Sequence, residues 1–406
     1  MKTPRSHAQS PAMPLSLPPP SDGLPTPARY YAMVAVILGI AMTVLDGTII
    51  NLALPRITRD LGAGAAQTIW IINAYQITIL SFLLPCAALG DLVGYRRVYL
   101  GGLSLYALAA ASCLICAFFV PSLSALVAAR AVQGLGAAGM MSVNTALVRM
   151  IYPRKLLGRG VAINSMVVAL SSVAGPSFAA GILSAASWPY LFAIDLPFAL
   201  VVSILGYRAL PPNPSGGAKT APSRIDVLLN VLMFALVFLG VDSLGARAEA
   251  PGGMSAASGL ALLFVGLAVG VIYLRRQRRL PLPIFPVDLL RIPVFALSMC
   301  TSVTAFTAQT LSYVALPFLF LDAYGRTPLQ AGALITAWPL AIVVVAPLVG
   351  RLIGRIPDGT LGGLGLCTLS LGLALLALLP DRPTDADVVW RLAICGLGFG
   401  LFQSPN

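Results

Sequence analysis

Charge is what this sequence has least of. Only 10% of its 406 residues are Asp, Glu, Lys or Arg, and 58% are hydrophobic, whereas a soluble domain carries about 25% charged residues. A chain this apolar cannot cover a water-facing surface, so a soluble globular protein is excluded. Histidine is nearly absent as well, the single one being His7 in a polar N-terminal stretch. Without histidine, the six cysteines (Cys86, Cys113, Cys116, Cys300, Cys367 and Cys395) have no partners for a zinc-type site. All six lie in apolar runs and read as small apolar helix residues, the CxxC spacing of Cys113 and Cys116 included. No span or loop combines a nucleophile, a base and oxyanion donors, so neither an enzyme nor a resident metal or cofactor is expected. Residues 1–29, rich in Pro and Ser, lack the apolar segment of a signal peptide and read as a disordered cytoplasmic tail.

What the sequence does have is long apolar runs. Crossing a hydrocarbon core of about 30 Å takes roughly 20 mostly apolar residues. Twelve runs qualify, near 30–54, 69–90, 98–120, 123–148, 160–187, 189–207, 227–246, 256–274, 294–321, 331–350, 359–380 and 388–406. They are continuous rather than alternating, and lipid offers no partner to a free backbone group, so helices rather than barrel strands are expected. The fold class is therefore an all-α membrane protein. With the N-terminus placed in the cytoplasm, 19 of the 26 Lys and Arg residues fall on the inner side and 6 on the outer, which fixes the expected orientation. The net charge of +12 is thus scattered over short loops and is not the footprint of a nucleic-acid partner.

An internal repeat is visible. Leu52-Ala53-Leu54-Pro55 ends the first run, and Val314-Ala315-Leu316-Pro317 ends the ninth. Gly90, Leu92 and Gly94 precede Arg96 as Gly350, Leu352 and Gly354 precede Arg355. Gly134-Leu135-Gly136, Ser142 and Asn144 return as Gly396-Leu397-Gly398, Ser404 and Asn406. Parallel half-repeats of helices mark secondary transporters. This register gives an N-terminal six-helix bundle over 30–210, an inserted two-helix linker over 211–280, and a C-terminal bundle over 281–406 holding four of six helices. The second bundle, and with it the sequence, is accordingly expected to be C-terminally incomplete.

Two charges lie deep. Asp46 sits about 24 Å along the first helix from Tyr30 at 1.5 Å per residue. A carboxylate there costs at least ~2.5–3.5 kcal/mol on insertion scales. It must face a cavity, pair, or take up a proton; a structural hydrogen bond is the bland reading. Arg130 has no acid on its own helix, so it needs either a partner from another helix, Asp46 or backbone carbonyls, or a route to the surface by snorkelling. Asp91, Gly94, Arg96 and Arg97 form a tight loop after the second span, which reads either as a helix-end clamp or as an ordinary positive-inside loop. Gly175-Pro176 interrupts the fifth span, since proline removes a backbone donor, and small residues there admit a neighbouring helix. Asn51, Tyr75, Gln133 and Asp195 are further cavity candidates. Asp226 and Asp242 read as interfacial. Trp70, Phe306, Tyr313 and Trp338 fit an aromatic cavity or, more plainly, packing.

These residues resemble the major facilitator superfamily and, within it, the drug:proton antiporters with fourteen spans. Leu45-Asp46-Gly47-Thr48-Ile49-Ile50-Asn51-Leu52-Ala53-Leu54-Pro55 is similar to that branch's first-helix signature (LDxTIVNVALP-like). Asp91 to Arg97 resembles the loop motif GxLaDrxGrk, with Ala87 in place of its first glycine. Arg130, Gln133, Gly134 and Gly136 match RxxQGxG, and Gly175-Pro176 matches GxxxGPxxGG, with Ser171, Ala179 and Ala180 replacing glycines. Asp195 stands where relatives usually have Asn. The resemblance implies two bundles rocking in alternating access, Asp46 and Arg130 in proton coupling, Asp91 and the Arg pair as a cytoplasmic gate, and Gly175-Pro176 favouring exchange over leak. It implies a multi-pass protein of the cell membrane, the proton gradient as energy source, no cofactor, and small amphipathic substrates as partners. A monomer is expected, with accessory efflux proteins as an option. Transport of a defined metabolite, or an inactive remnant, are the alternatives.

Overall fold

The computed structural model describes residues 22–213, 223–245, 256–280, 287–352, 355–380 and 382–403. Most of the expected tail, the middles of both linker connections and the last residues of the repeat (404–406) lie outside that set. Among the described residues the chain is helical without strands. The first bundle holds α1 (Ala28–Leu61), the short α2 (Ala65–Thr68), α3 (Trp70–Val93), α4 (Tyr95–Phe119), α5 (Leu123–Ile151), α6 (Leu157–Ala185), the short α7 (Tyr190–Ala193) and α8 (Asp195–Ala209). Then follow α9 (Arg224–Gly245), α10 (Ala256–Gln277), α11 (Pro293–Phe318), α12 (Pro328–Leu352), α13 (Asp358–Ala377) and α14 (Asp385–Gln403). A π-helical turn, Leu319–Ala323, continues α11.

A helix stands at each of the twelve expected runs. Eleven of them are long and apolar enough to cross a membrane. The twelfth, α14, is outside the eleven: its 19 residues include Asp385, Asp387 and Arg391. Residues 22–27 are not loose tail. The Leu24 N–H donates to the Ile151 carbonyl at 3.0 Å, the Arg154 N–H to Asp22 Oδ1 at 3.1 Å, and the Arg29 guanidinium to the Leu24 carbonyl at 2.9 Å.

In lipid, helices gain little from burying apolar surface and associate through close packing of small residues. The two halves use the same device at repeat-related positions. A Cβ on Gly134 would strike the Tyr75 carbonyl, and one on Gly396 would strike that of Trp338. A Cβ on Gly136 would meet Tyr106 N and Gly102 O, and one on Gly398 would meet Leu369 N and Gly365 O. Thus α5 crosses α3 and α4 as α14 crosses α12 and α13. The repeat read from scattered Gly and Leu letters corresponds to one helix-crossing geometry used twice.

The bundles meet along a seam made by the C-terminal half of α1, α6, the end of α11 and the start of α12. Gly332 of α12 packs against the Pro176 carbonyl, Ala180 and Leu52. Ser177 and Thr336 hydroxyls bond across the seam at 3.1 Å. The inserted pair α9–α10 docks on α3. Trp70 Nε1 donates to Asp242 Oδ2 at 3.1 Å, Phe238 meets the Trp70 ring edge-on at 5.5 Å, and Asn230 Nδ2 donates to the Ser81 carbonyl at 2.6 Å. Asp226, expected at the interface with water, is 1% exposed and pairs with Arg276 Nε at 2.6 Å. Asp226 and Asp242 therefore tie the hairpin together and to the bundle, because each terminal acid finds a donor on the helix packed beside it.

Candidate functional site

Inside the first bundle, four polar side chains from three helices form one buried chain of hydrogen bonds. Asp46 is 4% exposed, Asp195 5%, and Arg130 and Gln133 0%. Arg130 Nη1 donates to Asp46 Oδ1 at 2.8 Å and Oδ2 at 2.7 Å. The same nitrogen reaches Gln133 Oε1 at 2.8 Å, and Nε reaches the Ile71 carbonyl at 3.2 Å. Gln133 Nε2 then donates to Asp195 Oδ2 at 3.2 Å. The Tyr75 ring lies under the guanidinium at 4.2 Å, a cation–π contact of desolvated type. The Tyr75 hydroxyl donates to the Thr43 carbonyl at 3.3 Å.

The local reasons are plain. Arg130 and Gln133 are three residues apart and share one face of α5. Gly134, on the next position, lets α5 approach α3 close enough for Arg130 to reach Tyr75 and Ile71. Asp46 occupies the same buried stripe of α1 as Met42, Thr43, Ile49 and Ile50. Arg130 does not snorkel, because its charge is met where it stands. Removing one partner of such a buried pair leaves an uncompensated charge and costs about 3–5 kcal/mol.

A second feature lies at the seam. Thr48, Asn51 and Leu52 of α1, Ser172 and Pro176 of α6, Tyr313 and Pro317 of α11 and Ile335 of α12 line a narrow cavity of about 10 Å³, room for about one water molecule. Asn51 Oδ1 is buried without a hydrogen-bond partner among the described residues, and Tyr313, related to Asn51 by the repeat, holds its buried hydroxyl beside Gln309. Pro176 and Pro317 have no N–H, so neither donates to the carbonyl four residues earlier, on Ser172 and Tyr313. The walls thus combine apolar surface with a few polar atoms, around a space that in this state holds one water rather than a drug-sized molecule. Trp338 packs edge-on against Tyr313 at 5.5 Å.

Gly175 serves the crossing of α6 over α1, since a Cβ there would collide with the Thr48 side chain. One residue on, Pro176 contributes both to the cavity and to the contact with Gly332. The loop after α3 turns at Gly94 with φ of 102°, a backbone that side chains strain. Asp91, at the end of α3, accepts from the hydroxyl of Tyr95, the first residue of α4, at 2.6 Å, and so ties the two helix ends across the turn. The docking falls to Arg96, whose guanidinium bonds the Tyr207 carbonyl of α8 and lies over the Tyr207 ring at 5.6 Å. The Arg96 N–H donates to Asn213 Oδ1 at 3.1 Å. Arg97 bonds back to the Val93 carbonyl at 3.3 Å.

Of the expected residues, the fold gathers Asp46, Tyr75, Arg130, Gln133 and Asp195 at one place and Asn51 with Pro176 at another. Trp70 and Phe306 are elsewhere, against α9 and against Phe399 at 5.1 Å. Sequence reasoning missed the role of Cys113, which reaches Gln133 Oε1 at 3.6 Å, because a thiol in an apolar run reads as a small apolar residue. It also missed Tyr106, fully buried on α4 beside Asp195, and Asn213, which lies past the end of α8.

Comparison with known proteins follows the same lines. A family model described as Major Facilitator Superfamily matches residues 36–406. The chain is 49% identical over 386 residues to the Uncharacterized transporter YebQ of Escherichia coli (strain K12), covering 95% of this chain and 82% of that one. It is 30% identical over 378 residues to the Multidrug resistance protein Stp of Mycobacterium tuberculosis (strain CDC 1551 / Oshkosh), covering 93% of this chain and 68% of Stp. Among solved structures it is similar, at a TM-score of 0.62 and 14% identity, to a bacterial homolog of the human lysosomal transporter Spinster in an inward-facing, unoccupied conformation, over 94% of this chain and 75% of that one. At that identity the likeness concerns the fold.

Proposed function

Because the chain belongs to the Major Facilitator Superfamily, we propose that it is a secondary active exporter of amphipathic small molecules, driven by protons and belonging to the fourteen-span drug:proton antiporter branch. Family and relatives make it a multi-pass membrane transporter rather than an enzyme. The finer reading rests on one observation: a buried carboxylate and guanidinium, Asp46 and Arg130, pair inside the first bundle, and α1, which carries Asp46, also lines the narrow cavity between the two bundles. Proton uptake by Asp46 weakens its pairing with Arg130, and α1 carries both Asp46 and the cavity residues Thr48, Asn51 and Leu52. A local protonation is in this way linked to the seam on which the bundles rock.

The inner membrane is the proposed location, with the N-terminus in the cytoplasm by the 19-to-6 split of basic residues. On that orientation the seam at Leu52, Pro176, Ala180 and Gly332 closes the outer side. The loop from Asp91 to Arg97 then lies inside, where Arg96 latches to Tyr207 and Asn213. The Multidrug resistance protein Stp is a relative whose name supports drug efflux. No cofactor enters the scheme.

The test uses everted membrane vesicles carrying the chain and ethidium as probe. Proton-driven uptake into the vesicles is expected for the native chain, and none for Asp46→Asn. Undiminished driven uptake by Asp46→Asn would remove Asp46 from the coupling role. Absence of uptake by the native chain, in vesicles where it is present and folded, counts against drug export.

A further inference from the structure

The buried network does not balance its charge, and that imbalance has a location. Two carboxyl groups, Asp46 and Asp195, share one guanidinium. Arg130 commits Nη1 to both oxygens of Asp46. Gln133 presents its carbonyl oxygen to Arg130 and to Cys113, which leaves only its amide NH₂ to face Asp195. Asp195 thus receives a neutral amide donor and, among the described residues, no counter-ion of its own. The titratable or charged groups around it are Asp46 from α1, Tyr75 from α3, Tyr106 and Cys113 from α4, and Arg130 from α5. Phe178 of α6 and Ile194 before α8, both apolar, border it among the described residues. A buried carboxylate without a counter-ion is a costly state, relieved by a proton or a cation.

We infer that Asp195 is a second proton-carrying acid of this transporter, so that the buried site holds one removable positive charge. Gln133 is the positioning residue that links it to Arg130. The exchange balances simply. An O–H bond breaks at Asp195 and one forms at Asp46, and Arg130 then takes Asp195 as its ionised partner while the Gln133 amide turns between them. On the Asp195 side, Met42, Leu45, Ile49, Phe178, Ile194 and Phe198 border a narrow cleft of about 10 Å³, room for about one water molecule beside the carboxyl. The inference deepens the transport reading, but its charge balance stands without it.

Infrared difference spectroscopy on the purified full chain, with no substrate, tests the balance directly. One protonated carboxyl band is expected at neutral pH. Asp195→Asn removes it, and Asp46→Asn removes it too, because Asp195 then ionises beside Arg130. Asp195→Glu keeps a band at a shifted frequency, which controls for folding. A native spectrum without the band, or a band surviving in Asp195→Asn, overturns the inference whatever the outcome of the ethidium experiment. The second arm measures tetraphenylphosphonium binding against pH. Native affinity is expected to rise about tenfold per pH unit as one proton is displaced, and Asp195→Asn to be flat. An unchanged slope in Asp195→Asn refutes the assignment.

Discussion

The pairing of Asp46 with Arg130 can be measured as an energy. Both groups are nearly fully buried, and one nitrogen spans both carboxylate oxygens at 2.8 and 2.7 Å. Asp46→Asn replaces one acceptor oxygen by an NH₂ that faces a guanidinium. Arg130→Gln leaves the carboxylate with no cation. Each single change is expected to destabilise by about 3–5 kcal/mol, with Asp46→Asn at the lower end because Asp195 is near enough to take over Arg130. The double variant Asp46→Asn/Arg130→Gln removes both charges, and loss of a whole buried pair is often close to neutral. The cycle should therefore return a coupling of about 3 kcal/mol or more. Unfolding can be followed with a thiol-reactive dye, since Cys113 and Cys395 are free and buried in the folded chain. Denaturant midpoints then give the four stabilities. If the two single effects add to within about 0.5 kcal/mol, the pair does not act as a unit. The double variant should recover stability without recovering driven uptake, which separates the role in folding from the role in coupling.

Two further outcomes follow from packing. Gly175→Ala should destabilise by about 1–3 kcal/mol through collision with Thr48, and Thr48→Ala should restore part of that loss in the same unfolding assay. Gly94→Ala should weaken the chain even when Asn213 is shortened to Ala, because φ of 102° strains any side chain regardless of space; full rescue by Asn213→Ala would show that only the clash mattered.

The membrane class and the helix count come from composition and run length, because lipid forces continuous apolar segments into helices whatever their neighbours. The repeat is readable for a related reason. A glycine at a helix crossing cannot be exchanged for a larger residue, so Gly134, Gly136, Gly396 and Gly398 mark the crossings in one dimension. Asp46 and Arg130 stand out as charges at depth, where lipid tolerates a charge only if it is paired or reaches water. What the letters do not contain is partnership. That Gln133 turns its amide to Asp195, that Asp91 bonds Tyr95 while Arg96 does the docking, and that Asn51 and Tyr313 face one cavity depend on helix rotation and crossing. Those quantities are set by side-chain packing between segments far apart in sequence, and only the tertiary structure holds them.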